Sequence, residues 1–346
     1  MIEKAAFLWG KAGQRSLARS ALVEAAEQLR RALDQIEKQD QIVPLMIGHR
    51  LMANSLMLTG EISKGREHYN QAFAFYDPAK HRSLATRFGQ DVGVSIFVYR
   101  ALAQWMLGYP DTALVDANHA LEDARAGGQA GTLMYAQFHM SLTNVLCANF
   151  AAAIAQSDEV VRLADEKNAA IWKALATMQK GCVLALSGNA SEGIGMITSG
   201  IATYKSTGSR VYLPIFLAHL SRAYSEVGQF DDAWHYIGEA LSAVETTKER
   251  WYEAEINRIS GEIALKLPRL GTPQAEIYFE RALTIARAQQ AKSWELRAAM
   301  SVTRFWRDQG MRDKAKALLA PIYGWFGEGF DTHDLKQAKA LLAEMQ

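Results

Sequence analysis

The stretch Leu217–Ala240, LAHLSRAYSEVGQFDDAWHYIGEA, decides how the chain is read. Leu217, Leu220 and Tyr224 recur at helical spacing, Gly228 interrupts them, and Ala233, Ile237 and Ala240 take the spacing up again. Apolar residues three or four apart form one helical face, so the stretch reads as helix, tight turn, helix. Glycine suits the turn because it ends the first helix in a left-handed backbone conformation without a Cβ clash. Alanine five residues later suits a crossing where two helix axes approach to about 8–10 Å.

The same pattern recurs along the chain. Gly60, Gly108, Gly188, Gly228 and Gly310 are each followed, five positions on, by Gly65, Ala113, Gly193, Ala233 and Ala315. Ala25, Ala153 and Ala275 fill the small position in the other units, and Ala148 stands where the fourth unit would have its turn glycine. Successive small positions are separated by 40, 48, 40, 40, 40, 42 and 40 residues. A fixed period of this size marks a repeat array, in which each unit buries its apolar face against the next.

The unit resembles the tetratricopeptide repeat, with a period near 40 where that repeat has about 34. The expected fold is therefore all-α: a right-handed superhelical α-solenoid of about eight helix pairs and a C-terminal capping helix. The pairs are expected near 2–38, 43–75, 91–126, 130–167, 169–206, 209–246, 249–290 and 292–322. The cap falls over 331–346, begun by Asp331 or Thr332, and the whole of 1–346 reads as a single solenoid. The 48-residue gap places an inserted loop at 76–93, where Asp77-Pro78 opens a turn and Arg82 or Arg87 is expected to pair with Asp91. The 42-residue gap places a shorter insertion around Pro268 to Pro273.

Composition narrows the function. With 49% hydrophobic residues in 346, the chain can bury a large core. Lys+Arg is 38 and Asp+Glu is 37, and a formal charge of +1 argues against a main task of gripping nucleic acid. Seven prolines suit an array of helices. Cys147 and Cys182 fit neither a disulfide framework nor metal-ligand spacing, so buried thiols in a reducing cytoplasm are expected. The opening MIEKAAFLWGKAGQR is charged and lacks the apolar run of a signal peptide. Ala126 to Ser157 has no charge, but its polar residues suit buried helices better than a membrane span.

No phosphate-binding loop, dinucleotide fingerprint, HExxH, GxSxG or CxxC pair occurs, and the eight histidines are scattered. The expectation is a chain that is not an enzyme and that needs no cofactor or metal. The eight tryptophans read as packing between neighbouring helices. First helices of such arrays line the concave face, and there Arg222, Arg258, Arg304 and Arg307 form a candidate basic strip for an acidic segment or carboxylate. The competing reading pairs these arginines with Glu226, Glu262 or Asp308. The same face of the third to fifth units is apolar, with Trp105 and Phe138 the leading candidates for partner contact; either a partner covers it or the coil curls tightly there.

Several blocks carry a family resemblance: Tyr76–Arg82, Gly89–Asp91, Trp105–Asp111, Glu249–Glu255, Gln289–Arg297, Tyr323–Phe326 and Glu328–Thr332. Ala12–Arg15 and Ala18–Ser20 add to it. Together they resemble the C-terminal tetratricopeptide region of bacterial class III adenylate/guanylate cyclases that carry an AAA/STAND-type ATPase. The segment around Ile36 to Leu45 is contracted relative to that family, and this sequence holds neither the cyclase nor the ATPase domain. The resemblance implies a non-catalytic, cytoplasmic protein-interaction scaffold, the sensor or relay arm of a cyclase/ATPase signalling protein. The implied partner is a protein or peptide, possible cyclase or ATPase modules among them, or a small-molecule effector, with no direct nucleic-acid or membrane contact. The alternative is the effector-binding arm of a STAND/LuxR-type transcription regulator.

Overall fold

The computed structural model describes residues 21–36, 42–267 and 269–345. It is an all-α solenoid, and no strand occurs among the described residues. The first unit contributes α1 (Leu22–Ile36); its expected first helix lies outside the described residues, as does Pro268 of the second insertion. Seven helix pairs follow: α2 (Ile42–Leu58) with α3 (Ile62–Ala74), α6 (Val92–Met106) with α7 (Pro110–Gly127), and α8 (Ala130–Leu146) with α9 (Phe150–Lys167). Next come α10 (Ala170–Leu186) with α11 (Ala190–Ser206), α12 (Leu213–Glu226) with α13 (Phe230–Thr247), α14 (Glu253–Lys266) with α15 (Gly271–Ala288), and α16 (Lys292–Asp308) with α17 (Arg312–Tyr323). Helix α18 (His333–Ala343) follows at the C-terminal end, with Thr332 at its N-cap.

Residues 76–93 are more ordered than a loop. They form α4 (Pro78–His81), a 3-10 turn (Arg82–Leu84) and α5 (Ala85–Phe88). Asp77 caps α4 by accepting from the Ala79 amide at 3.0 Å, with Pro78 at the first helical position. The expected pairing of Arg82 or Arg87 with Asp91 is not made. Arg82 reaches Asp123 at 3.6 Å, and Arg87 lies over the Phe88 ring. Asp91 is already engaged: it caps α6 through the Val94 amide and accepts the Tyr76 hydroxyl at 2.9 Å. The Tyr76 ring lies where a side chain on Gly93 would begin, so the fold of this segment needs glycine at 93.

The two helices of a unit have different surroundings. In α6, 13 of 15 residues are buried, and in α8, 14 of 17. In α9 and α13 only 5 of 18 are buried. First helices therefore form an inner layer and second helices an outer sheath. The small positions do what the repeat requires of them. A Cβ on Gly193 would meet the Gly181 carbonyl at 2.6 Å, so α10 and α11 pack backbone to backbone. The turn geometry is equally strict. Gly228 has φ +79°, and Ala148, in the matching place of the fourth unit, is held at φ +60°. The repeat thus imposes a left-handed turn even on a residue with a Cβ, at a cost of about 1–2 kcal/mol.

The solenoid does not stay open. Helix-end carbonyls of the inner helices of the second, third and fourth units take donors from later units; among the described residues those of Leu58 and Leu146 have no local donor, and that of Trp105 also accepts the Gly108 amide of its own turn. The Arg250 amide donates to Leu58 O at 2.7 Å, and the Trp251 amide shares that acceptor. Ser293 Oγ donates to Trp105 O, and Arg297 Nη2 to Leu146 O at 2.8 Å. A second row of contacts reinforces the seam: Glu328 accepts from the Thr112 amide and hydroxyl, and Asp111 from the Gly329 amide. Gly108 fits here for want of a Cβ, which would sit 2.5 Å from the Trp325 ring. The described residues thus make one coil in which the seventh and eighth units and the residues after them close on the second to fourth units.

Candidate functional site

Closure fills the coil with the inner helices' own aromatic side chains. Trp105 meets Trp294 edge-on at 4.6 Å between ring centroids, Trp294 meets Tyr252 at 5.0 Å, and Tyr252 meets Trp251 at 5.3 Å. Tyr212 joins Trp251 to Phe138. This corrects the placement of two candidate residues: Trp105 is 2% exposed and Phe138 1% exposed, so neither lies on an open face. Of the two expectations for the apolar face, the tight curl is the one found. The apolar surface is covered by units of the same chain.

The filled interior is polar in places. The Tyr212 hydroxyl lies 2.9 Å from the Tyr99 hydroxyl and 3.0 Å from His139 Nε2. His139 Nδ1 faces the Tyr135 carbonyl at 2.8 Å, and since a carbonyl only accepts, Nδ1 carries the proton. Burial pushes the His139 imidazole down to about 4, which keeps it neutral. Glu249 is 1% exposed and binds the Tyr212 amide at 2.9 Å and the Trp251 indole at 2.8 Å. Burial pushes this carboxyl up to about 7, against the pull of those two donors. Its role is local. Tyr212 sits at φ +68° just before α12, and Glu249 holds the strained amide in place.

The four candidate arginines part company. Arg258 is 7% exposed and turned into the protein, donating to both oxygens of Glu255 and to Glu262 and Ser301. Burial raises the Glu255 carboxyl, but Arg258 and Arg297 outweigh it and hold the group down at about 2. Arg307 donates to Asp308 and Glu344. The pairings with Glu262 and Asp308 are those of the competing sequence reading, and they spend the charge of Arg258 and Arg307 inside the chain. Arg304 donates to the neutral Gln337. Arg222 makes no hydrogen bond or ion pair among the described residues, and Glu226, expected beside it, lies instead 4.0 Å from Lys266. Arg222 and Glu226 line a cavity of about 550 Å³ with the turn Gly188–Ala190 and the first residues of α11.

Sequence reasoning did not single out Arg50, Glu249, Tyr212 or Arg297. Arg50 was visible as the one charge in the apolar run Leu45–Leu58. Glu249 and Arg297 lie in blocks that carry the family resemblance, Tyr212 lies in none, and the structure adds that most of these blocks meet. Trp105–Asp111, Glu249–Glu255, Gln289–Arg297, Tyr323–Phe326 and Glu328–Thr332 are far apart in sequence and all lie along the seam. Among the described residues there is no group of three potential metal ligands and no helix long and apolar enough to cross a membrane. Cys147 and Cys182 are free and buried.

No family model matches the chain, and no curated protein does. Solved structures share its fold. A Rap protein complexed with Competence and Sporulation Factor superposes with a TM-score of 0.64 at 14% identity, over 84% of this chain and 76% of that one. NprR in complex with its cognate peptide NprX gives 0.58 at 11% identity, over 81% and 78%. Aspartyl phosphate phosphatase F from Bacillus subtilis gives 0.55 at 9% identity, over 97% and 95%. At such identities the likeness is one of fold: a helical-repeat solenoid of comparable length.

Proposed function

We propose that this chain is a non-catalytic regulatory scaffold that works by binding a protein or peptide. The observation that carries the reading is the fold itself. It is a superhelical repeat array, and two structures of the same architecture hold Competence and Sporulation Factor and a cognate peptide. The finer reading is the sensor or relay arm of a cytoplasmic adenylate cyclase/ATPase signalling system. The meeting of the family-like blocks at the seam supports it, because the closed coil is then the shared feature. Ligand binding biases such a coil between closed and more open forms.

Arg222 and Arg304 are the proposed partner contacts, since their charge is not spent on an internal carboxylate by hydrogen bond or ion pair. The test is binding of a purified cyclase or ATPase module, with Arg222→Glu/Arg304→Glu alongside the unmodified chain. Binding lost in the variant supports the strip, and equal binding by both removes it. Purified chain given ATP and GTP should form no cyclic nucleotide and release no phosphate; turnover by this chain alone overturns the scaffold reading. The second reading, an effector-binding arm of a STAND/LuxR-type regulator, is favoured by the 550 Å³ cavity at Arg222. It predicts an effector-dependent rise in melting temperature that Arg222→Glu abolishes.

A further inference from the structure

Arg50 projects from α2 into the core and is 3% exposed. Its Nη1 donates to Ser95 Oγ at 2.9 Å, and its buried Nε has no acceptor. No carboxylate among the described residues lies within ion-pair distance of it. Three other arginines drawn into the protein are each balanced: Arg100 by Asp116, Arg258 by Glu255 and Glu262, Arg297 by Asp334. A guanidinium does not escape burial by losing its proton, and a buried charge without a counter-charge is strongly destabilising.

The groups around Arg50 do not supply that counter-charge. They are the phenols of Tyr69, Tyr99 and Tyr135, and burial pushes all three up, so they remain neutral. What they offer is hydroxyls. The Tyr135 hydroxyl lies 3.2 Å from Ser95 Oγ, next to the guanidinium. A cation with a free N–H, flanked by hydroxyls able to donate, has the chemistry of a receptor for an oxyanion.

We propose that Arg50, with Ser95 and Tyr135, is an anion site inside the coil that takes one carboxylate of a bound ligand. The guanidinium would fork onto the two carboxylate oxygens while the hydroxyls donate to them. Charge favours a carboxylate over a phosphate: one cation balances one monoanion, whereas a dianion would leave excess charge in a core that already holds Glu249. Arg50 is closed off, so a ligand reaches it only as the inner helices part. The inference rests on the binding-module reading for the source of the carboxylate alone, a peptide terminus or a free small acid.

The test is the melting temperature of the full chain in sodium acetate against sodium chloride at equal ionic strength, and in trialanine against trialanine amide. Acetate should raise the melting temperature of the unmodified chain by about 2–4 °C and leave Arg50→Met unchanged. In chloride, Arg50→Met should melt above the unmodified chain, because an apolar side chain replaces an unbalanced charge. Should Arg50→Met not fold, Arg50→Gln carries the same comparison. A response to trialanine but not its amide assigns the site to a peptide terminus; a response to acetate alone assigns it to a free acid. An unmodified chain indifferent to both carboxylates, or an Arg50 variant that responds equally, overturns the proposal. A protein partner bound without any carboxylate response would remove this site and leave the scaffold function standing.

Discussion

Arg297 donates to the carbonyl of Leu146, 151 residues earlier in the chain, and so ties the eighth unit to the fourth. The same guanidinium bonds Asp334 at 2.7 Å and lies over the rings of Trp105 and Trp294. A cation at the C-terminal end of α8 also suits the helix dipole. Removing it leaves Asp334 and a helix end without their partner. Arg297→Met should cost about 3–5 kcal/mol, read as a lower urea midpoint with an unchanged far-ultraviolet spectrum. An unchanged midpoint would mean that the seam contributes nothing to stability.

The strained turn at Ala148 makes a prediction of opposite sign. At φ +60° alanine carries a penalty that glycine does not. Ala148→Gly should stabilise the chain by about 0.5–1 kcal/mol, the relief being partly offset by the greater freedom of glycine when unfolded. Gly228→Ala, the reverse change in the sixth unit, should destabilise by about 1–2 kcal/mol. Thermal melts of both variants check the pair; equal and like-signed shifts would refute the turn argument.

Gly193 tests the small position directly. A Cβ there would sit 2.6 Å from the Gly181 carbonyl, and backbone does not swing aside as a side chain does. Gly193→Ala should lose about 1–3 kcal/mol although alanine is the better helix former. A more stable variant would show that α10 and α11 separate freely.

Glu249 makes stability depend on pH. Its carboxyl is raised from 4.5 to about 7 by burial, so between those values the folded chain holds a proton that the unfolded chain has released. The contribution is full below about 4.5 and is lost as pH rises through about 7. Glu249→Gln keeps a neutral acceptor for the Tyr212 amide, so the stability of the unmodified chain relative to it should fall across that window and level off above. The full drop is about 3 kcal/mol. His139 acts in the other direction: lowered from 6.5 to about 4, it contributes above 6.5 and is lost toward acid. The difference between the two chains isolates Glu249, and a flat difference from pH 4.5 to 7 would rule it out.

The thiols give a simple check on the packing. Burial pushes Cys147 up to about 12 and Cys182 well above its ordinary value. Neither should react with a disulfide reagent in the folded chain at neutral pH, and both should after unfolding. Fast labelling of either in the native state would show that the inner layer opens readily.

What the sequence revealed and what it hid divide by distance along the chain. Helix pairs, turns and small positions follow from neighbours within one period, and Gly228 and Ala233 announce themselves. The seam does not. Leu58 to Arg250, Trp105 to Ser293 and Leu146 to Arg297 are long-range pairings, and a backbone carbonyl leaves no mark on residue type. The arginines show the same limit in part: Glu262, one turn along the helix from Arg258, was visible as its partner, whereas Gln337, which meets Arg304 from 33 residues away, was not.

Closure of the coil also sets an order of events in the making of the protein. An open array can settle unit by unit as it leaves the ribosome, each stacking on the one before. Here Leu58, Trp105 and Leu146 present helix ends whose partners, from Arg250 to Arg297, are synthesised long afterwards. The early units must wait with their inner aromatic faces uncovered until the last third of the chain emerges. The nascent chain, rather than the finished one, is therefore the form most exposed to aggregation and most in need of a chaperone.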